Sequence, residues 1–215
     1  MPKAQRMAIA AALSVALLCL VYAVVLAVGL FLLPSPQHQI QDPWFTLMEI
    51  LIIAIAPAMV VFTVGLLAQA PPARMPFAVA SVAFMTVCAV LTCGVHFSIL
   101  TLSREPGFAG QDWARNVFAF QWPSVAYALD ILAWDIFFPL AAMFAALTLQ
   151  GPGQAAVGRL LLYASAALAF IGLAGVPLSN MQVRNVGIIG YAVVFPIAAA
   201  LMARLFSRQW PASAA

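Results

Sequence analysis

The segment PSVAYALDILAWDIFFPLAAMF, residues 123–144, decides the class of protein to which this chain belongs. Its length and apolar character are those of a membrane-crossing helix, because about 20 mostly apolar residues are needed to cross a hydrocarbon core of about 30 Å. The same segment carries two aspartates, Asp130 and Asp135, and a proline, Pro139. Since a carboxylate is costly where water is absent, the segment predicts both a membrane span and a polar site inside it.

The composition of the whole chain agrees with this interpretation. Of its 215 residues, 66% are hydrophobic and 7% are charged, and the mean hydropathy is +1.07. A soluble domain carries about 25% charged residues, so we expect an integral membrane protein. The formal net charge is +3, but the basic residues are scattered through the loops. This pattern gives no reason to expect a nucleic-acid partner.

Six apolar runs are long enough to cross a membrane as helices. The predicted spans are residues 7–33, 45–68, 77–102, 123–148, 157–178 and 184–206. Three breaker clusters separate some of them: Pro34-Ser35-Pro36, Pro71-Pro72 and Gly151-Pro152-Gly153. The first span follows a short basic segment, as the apolar part of a signal peptide does. Its apolar run is about twice the usual length, however, and no A-x-A-like cleavage site follows it. We interpret it as a retained anchor in an all-α bundle of about six helices, with residues 1–215 forming one transmembrane domain.

The distribution of basic residues predicts the orientation of the bundle. One side carries Lys3, Arg6, Arg74, Arg159, Arg204 and Arg208, and the other side carries Arg104, Arg115 and Arg184. Because cytoplasmic loops are enriched in Lys and Arg, both termini are predicted to be cytoplasmic. The loop at about residues 103–122 is then extracytoplasmic, and a short interfacial helix is expected in it. The preference for arginine over lysine, together with abundant alanine, is typical of a GC-rich bacterial genome. We therefore expect a multi-pass protein of the bacterial cytoplasmic (inner) membrane.

The polar residues concentrate toward the predicted outer side. All six acids fall in an outer loop or in the outer part of a span: Asp42, Glu49, Glu105, Asp112, Asp130 and Asp135. His96 lies toward the outer end of the third span, and Asn180, Arg184 and Asn185 flank the outer connection between spans five and six. This one-sided pattern predicts a cavity that opens outward and is closed inward by apolar packing.

Four residues are candidate catalytic groups, and each has a structural alternative. Asp135 lies about 18 Å into its helix at 1.5 Å per residue, where a carboxyl has a function or makes an interhelical bond; Asp130 is shallower and could reach water. Glu49 could belong to the site or snorkel toward the headgroups. His96 could belong to it or make a structural hydrogen bond. Arg184 is interpreted either as an interfacial residue or as the partner of a buried acid.

Helical spacing divides the fourth span into two faces. Tyr127, Asp130 and Trp134 are three and four residues apart and share one face. Asp135 is five residues beyond Asp130, about 140° round a regular helix at 3.6 residues per turn, so the two carboxyls need not form a tight dyad. Phe138 shares the face of Asp135. The candidate substrate-binding residues are Trp134, Tyr127, Phe138, Asn180, Arg184 and Asn185.

Proline interruptions recur in three spans that run in the same direction. Pro139 lacks the amide that would bond the carbonyl of Asp135, so the helix is expected to bend there and to free a carbonyl beside the carboxyl. The segments FFPLAAM (137–143) and VFPIAAAL (194–201) are alike, and IAPAMVVF (55–62) is a looser match. They are consistent with a diverged repeat of helical hairpins.

Several membrane chemistries lack the residues that they require. A retinal protein needs a lysine in its last span, and no predicted span contains one; bis-histidine haem needs two intramembrane histidines, and only His96 qualifies. A zinc hydrolase needs about three ligands, which His96, Asp130 and Glu49 could supply, although without a ligand-spacing motif. There is no G-x-S-x-G elbow and no GxGD-like motif. We expect no cofactor and no metal, and we interpret the cysteines, which form no CxxC pair, as packing residues: Cys19, Cys88 and Cys93.

Three runs carry a resemblance to known proteins: LTCGVHFSILTLSR (91–104), WPSVAYALDILAWD (122–135) and NMQVRNVGIIGYAVVFP (180–196). They resemble a group of small six-span bacterial membrane proteins, and the likeness covers most of the chain from about residue 44 onward. The resemblance implies a six-helix fold and no particular activity.

Three classes of function fit these patterns. The first is an acid–base enzyme acting on a lipid or isoprenoid-like molecule, with a buried aspartic acid as general acid and aromatic faces stabilising positive charge. The second is a small proton- or cation-coupled transporter that uses Asp135. The third is a non-catalytic sensor or assembly subunit. The expected partners are membrane lipids, an apolar or cationic small molecule, and a second copy of the chain.

The first prediction concerns topology. A cysteine introduced by Gly110→Cys should react with a membrane-impermeant thiol reagent added to intact cells, because the basic-residue distribution places that loop outside. A cysteine introduced by Gln154→Cys should react only after the membrane is opened. Labelling with the two positions exchanged would show that the orientation is reversed.

Overall fold

The computed structural model describes residues 1–35, 38–208 and 210, and within this part of the chain it contains helices and no strand. In chain order the helices are α1 (Lys3–Phe31), α2 (Trp44–Gln69), α3 (Met75–Leu100), α4 (Pro106–Ala109), α5 (Ala114–Phe118), α6 (Val125–Thr148), α7 (Gln154–Leu173) and α8 (Met181–Arg208). Six of them are long and apolar enough to cross a membrane, and the short α4 and α5 lie in the loop between α3 and α6. The predicted all-α, multi-pass transmembrane bundle and the short loop helix are confirmed.

The two described chain ends meet at the same end of the bundle. The Nε2 of Gln5 donates a hydrogen bond of 2.8 Å to the carbonyl of Phe206. We call this the terminal end, which also holds residues 70–74 and 149–153. The opposite, loop-rich end holds residues 32–35, 38–43, 101–124 and 174–180. Each long helix contacts its neighbours in sequence, and α8 closes the bundle by packing against α1.

Local signals in the loops set where the helices begin and end. Gly151 and Gly153 have φ angles of 87° and 67°, a region that favours glycine, in the turn between α6 and α7. α2 begins at Trp44, directly after the pair Asp42-Pro43. The Asp42 carboxyl accepts hydrogen bonds from the amide and hydroxyl of Thr46, and the hydroxyl bond lowers the pKa of Asp42. Pro36 of the first breaker cluster lies outside the described residues.

Two of the three helices that contain a proline beyond their first turn share the same irregularity. In α6 the residues Leu132–Phe137 form a π-helical segment, and in α8 the residues Ile189–Val194 do so. Pro139 and Pro196 each follow two residues after the segment, where a missing amide prevents the regular hydrogen bond. The likeness between FFPLAAM and VFPIAAAL therefore extends to backbone structure. It does not extend to IAPAMVVF, because α2 remains α-helical around Pro57.

Aromatic residues fill the half of the bundle nearer the terminal end. Phe62, Phe138 and Phe195 are fully buried, with ring centroids 5.7 Å apart for Phe62 and Phe195 and 5.0 Å apart for Phe138 and Phe195. Phe206 joins them at 6.2 Å from Phe62. This dense apolar layer closes the bundle toward the terminal end.

Small residues allow α7 and α8 to pack backbone against backbone. The hydroxyl of Ser165 donates a 2.9 Å hydrogen bond to the carbonyl of Gly190. A Cβ atom at Gly190 would lie 2.6 Å from the carbonyl oxygen of Ser165, so there is no room for a side chain. This close approach brings the first turns of α8, which carry the polar residues of the last span, against the core of the bundle.

The second prediction tests this contact. Gly190→Ala should lower the free energy of unfolding by about 1–3 kcal/mol, because the added methyl group forces two backbones apart. The matched control is Gly94→Ala, since a Cβ atom there would meet nothing within 4 Å and alanine is the better helix former. Denaturant titration in detergent micelles would compare them. Equal stability of the two variants would contradict the close packing.

Candidate functional site

Five buried ionisable side chains form a cluster inside the bundle. The first contact in it is a hydrogen bond between α2 and α3. The Oε2 of Glu49 lies 2.8 Å from the Nδ1 of His96, and the two residues are only 2% and 3% exposed. Of the alternatives for Glu49, snorkelling toward the headgroups is wrong, because its carboxyl turns inward to the imidazole. A buried carboxyl needs such a partner to offset the loss of hydration.

The other ring nitrogen of His96 faces α6. Its Nε2 lies 3.4 Å from the Oδ1 of Asp130, and it makes no hydrogen bond to any residue that the structure describes. The imidazole therefore stands between two carboxyls, with Glu49 at hydrogen-bond distance from one nitrogen and Asp130 at ion-pair distance from the other. Ser124 helps to place Asp130, because its hydroxyl accepts the amide of Tyr127 and caps the start of α6.

Arg184 of α8 is the centre of the cluster. Its Nη2 donates to the Oδ2 of Asp130 at 2.6 Å, and its Nε donates to the Oδ2 of Asp135 at 2.9 Å. The guanidinium also lies over the ring of Tyr127, 4.6 Å from the centroid. Of the two interpretations of Arg184, an interfacial position is wrong: the residue is 4% exposed and pairs with two buried acids.

The π-helical segment explains how one arginine reaches both aspartates. In a regular α-helix Asp130 and Asp135 would point about 140° apart, which is what the sequence predicted. Here the π-helical segment begins two residues after Asp130 and contains Asp135, so the spacing of a regular α-helix does not apply, and both carboxyls reach the same guanidinium. The carboxyls make no hydrogen bond to each other. Arg184 joins them instead.

Asp135 is the most enclosed member of the cluster. It has no exposed surface, and its Oδ1 has no hydrogen-bond partner among the described residues. That oxygen lies against the backbone of α8, where a Cβ atom at Gly187 would be only 3.0 Å away. The glycine therefore makes room for the carboxyl, and Asp135 positions Arg184 from the side facing the core.

The five ionisable residues do not balance in charge. Three carboxyls face one guanidinium and one imidazole: Glu49, Asp130 and Asp135 against Arg184 and His96. If His96 is protonated and every carboxyl is ionised, the cluster carries one net negative charge. Because a buried uncompensated charge is costly, the cluster favours the uptake of one more proton or the approach of a cation.

A cavity of about 370 Å³ adjoins the cluster on the side of the loop-rich end. Its polar wall is formed by His96, Asp130 and Arg184, together with tyrosines that include Tyr22 and Tyr191. The remaining walls are mainly apolar and come from α1, α2 and α8. These apolar residues include Leu26, Leu30, Ile52, Ile55 and Ile188.

The structure places the other predicted residues inside or outside this cavity. Trp134 and Tyr127 line it. Phe138 belongs to the aromatic core and has no exposed surface. Asn180 caps α8 by accepting the amide of Gln182 at 3.0 Å, and Asn185 donates to the side chain of Gln182 at the surface. The predicted binding roles of Phe138, Asn180 and Asn185 are therefore not supported by their positions.

Several aromatic residues of the cavity were missed in the sequence. Tyr22 lies in the first span, Tyr191 lies in the π-helical segment of α8, and Phe120 approaches His96 with 5.4 Å between ring centroids. A tyrosine inside an apolar span is a usable signal, because its hydroxyl needs a polar neighbour when buried. Nothing in the local sequence marks Phe120.

The two carboxyls around His96 lie on opposite sides of its ring. Glu49 and Asp130 contact opposite nitrogens of the ring, so the three side chains do not converge on one point. In the described part of the chain, no group of three or more His, Cys, Asp or Glu residues is placed to hold a metal ion. The positions of Glu49, His96 and Asp130 therefore give no support to the zinc-site alternative.

Comparison with protein-family models, with curated proteins and with solved structures finds no match. The resemblance to small six-span bacterial membrane proteins stays a prediction. The functional interpretation therefore depends on the geometry of the site.

The third prediction concerns the central arginine. Arg184→Gln should lower the free energy of unfolding by about 3–5 kcal/mol, because it leaves two buried carboxyls without their partner. Arg104→Gln is the control: its partner Asp42 lies 3.4 Å away in an exposed pair, and such a pair contributes less than about 1 kcal/mol. Unfolding by SDS in mixed micelles, followed by tryptophan fluorescence, would measure both.

A second substitution separates charge from packing in this experiment. Adding Asp135→Asn to Arg184→Gln should recover part of the lost stability, because it removes one of the unpaired charges. If the double variant is less stable than Arg184→Gln alone, the ion pair is not the source of the effect.

Proposed function

We propose that this protein is a membrane-embedded acid–base enzyme that acts on a lipid or isoprenoid-like molecule. The observation that carries the proposal is the position of His96. Its imidazole borders the cavity, Glu49 holds its Nδ1, and its Nε2 has no hydrogen-bond partner among the described residues. A base that a carboxyl holds at one nitrogen, and that makes no hydrogen bond at the other, suits proton transfer.

In this mechanism the Nε2 of His96 is the atom that donates the proton to the substrate or accepts it from the substrate. Protonated, the imidazole donates from Nε2 to a substrate atom; neutral, it accepts a proton there. Glu49 stabilises the imidazolium at the opposite nitrogen, and Asp130, 3.4 Å from Nε2, completes the acid–base pair. Arg184 holds Asp130 in place. The predicted role of Asp135 as general acid moves to His96 and Asp130, because Asp135 does not line the cavity.

The walls of the cavity favour an amphipathic substrate. The apolar side chains from α1, α2 and α8 suit a hydrocarbon chain, and the polar wall meets its reactive group. Trp134 and Tyr191 lie 4.9 Å apart between ring centroids at this wall. Their faces, with that of Tyr127, can stabilise positive charge that develops on a substrate after protonation.

Proton- or cation-coupled transport is the second candidate, and the charge imbalance of the cluster favours it. An excess carboxyl in a membrane is a common proton or cation site. A transporter must also open its site to both sides, however, and the layer around Phe62, Phe138 and Phe195 fills the bundle between the cluster and the terminal end. The enzyme is therefore the preferred proposal.

The fourth prediction tests the enzyme directly. Cells that express the protein should differ in one lipid or isoprenoid class from cells that do not, and His96→Gln should reduce this conversion by about 100-fold or more, the usual contribution of a general acid or base. Ser98→Ala should retain full conversion, because Ser98 is half-buried on the same helix and its hydroxyl donates to the carbonyl of Gly94 and not to the cluster. Lipid extraction and mass spectrometry, with expression levels matched, would measure the difference.

Binding measurements distinguish the remaining candidates. Native mass spectrometry of the purified protein should find an amphipathic molecule in wild type and in His96→Gln, because the substitution keeps the cavity. Proton- or sodium-dependent flux in liposomes would favour the transporter. The absence of a bound molecule, of conversion and of flux would leave a non-catalytic subunit in which the ion pairs only join α2, α3, α6 and α8.

A further inference from the structure

A second cavity lies at the terminal end, on the opposite side of the bundle from the acid–base cluster. It has a volume of about 530 Å³ and is bordered by the turn between α6 and α7. Two arginines and a tyrosine contribute side chains to it: Arg74, Arg159 and Tyr163. None of these residues takes part in the proposed enzyme.

The two arginines reach this cavity from different parts of the chain. Arg74 lies in the connection between α2 and α3, and Arg159 lies in the second turn of α7. The Nη1 of Arg74 donates to the carbonyl of Leu147 at 3.2 Å, and the Nη1 of Arg159 donates to the carbonyl of Leu149 at 3.3 Å. Both guanidinium groups are therefore held at the last carbonyls of α6.

Each arginine keeps hydrogen-bonding capacity after these contacts. A guanidinium has five N–H donors, and the structure gives each group one hydrogen bond to a described residue, through Nη1. The remaining donors at Nε and Nη2 make no hydrogen bond to a described residue, and a ligand can use them. Because the carbonyls hold one side of each group, binding an anion costs less side-chain entropy than it would with mobile arginines.

The positive charge at this end is not balanced by acidic side chains. All aspartates and glutamates of the chain belong to the loop-rich half, from Asp42 to Asp135. An anion that enters the cavity therefore meets two arginines without competition from a carboxylate side chain. Two guanidinium groups suit the oxygens of a phosphate, which they can bind with several charge-assisted hydrogen bonds.

The surroundings indicate a ligand that comes from the bilayer. Tyr163, one helical turn after Arg159, borders the cavity and is 37% exposed, and Leu160 beside Arg159 is 68% exposed. Such apolar exposure on a membrane-spanning helix faces lipid chains, and tyrosine favours the level of the headgroups. The guanidinium of Arg74 also lies 5.7 Å from the ring centroid of Phe77, at the start of α3.

We propose that the cavity lined by Arg74 and Arg159 binds the phosphate headgroup of an anionic phospholipid. The guanidinium groups hold the phosphate oxygens, and the acyl chains lie along the exposed apolar surface of α7. Basic pockets between helices at the membrane boundary bind such headgroups. The occupied site would join the α2–α3 connection to α7 and would stabilise the terminal end of the bundle.

The fifth prediction uses the full chain in lipid nanodiscs. Wild-type protein should melt at a higher temperature in nanodiscs that contain phosphatidylglycerol than in nanodiscs of phosphatidylcholine alone, because the bound lipid stabilises the folded state. The double variant Arg74→Gln, Arg159→Gln should lose most of this increment. Native mass spectrometry should show phosphatidylglycerol bound about tenfold more weakly to the double variant, as expected when charge-assisted hydrogen bonds are lost.

The controls separate lipid binding from structural and nonspecific effects. Arg204→Gln removes an exposed arginine at the same end and should retain the increment and the bound lipid. The increment is the difference in melting temperature between two lipids for the same variant. Stability that is lost when the carbonyls lose their arginine partners lowers both melting temperatures and therefore does not change the increment. If the double variant does not fold, the single variants Arg74→Gln and Arg159→Gln replace it and should each lose part of the increment.

Three results would overturn the proposal. Retention of the full increment by the double variant would show that the arginines only cap α6. Loss of the increment in Arg204→Gln would show a general response to surface charge. An equal rise in melting temperature with inorganic phosphate in phosphatidylcholine nanodiscs would show a site for a free anion and not for a lipid headgroup.

Discussion

The guanidinium of Arg184 lies between the carboxyls of Asp130 and Asp135, with hydrogen bonds of 2.6 and 2.9 Å. All three residues are buried, so each charge is acceptable in the membrane only while the others are present. The pairing requires α6 and α8 to lie side by side with their polar faces aligned. The widened turn of α6 and the glycine at position 187 both serve this alignment, since one brings the carboxyls together and the other makes room for Asp135.

The rest of the cluster extends from this ion pair in one direction. The carboxyl of Asp130 contacts both Arg184 and His96, and the imidazole of His96 also contacts Glu49 on α2. One line of contacts thus joins α8, α6, α3 and α2. The cavity opens beside it toward the loop-rich end, and the aromatic layer closes it on the other side. This asymmetry underlies the proposed enzyme, because a substrate can enter from one side only and meets a polar wall where the apolar walls end.

The two ends of the bundle differ in charge as well as in shape. The loop-rich half contains every aspartate and glutamate, and the terminal end contains arginines whose hydrogen bonds go to backbone carbonyls. Acids that lie inside the bundle must pair with Arg184 or His96, whereas the arginines of the terminal end keep donors for an external anion. The same principle, that a charge away from water needs a partner, therefore predicts a closed network at one end and a lipid-binding pocket at the other.

The sequence by itself determined the class of protein and the number of long apolar helices, because a run of about 20 apolar residues has few alternatives to a membrane-spanning helix. The spans predicted at 123–148 and 45–68 agree closely with α6 and α2. The concentration of Asp130, Asp135 and His96 toward one side also follows from sequence, since their depth along each helix can be counted.

The contacts of each polar side chain could not be predicted from the sequence in this way. Arg184 lies near the start of its span. Whether its guanidinium contacts lipid headgroups or two buried acids depends on how α8 packs against α6. The relative direction of Asp130 and Asp135 depended on a π-helical turn, which Pro139 suggests but whose pitch is settled by packing. Tyr22 and Phe120 join the cavity from distant parts of the chain, and only the closure of α1 against α8 and the path of the loop before α6 decide that they meet there.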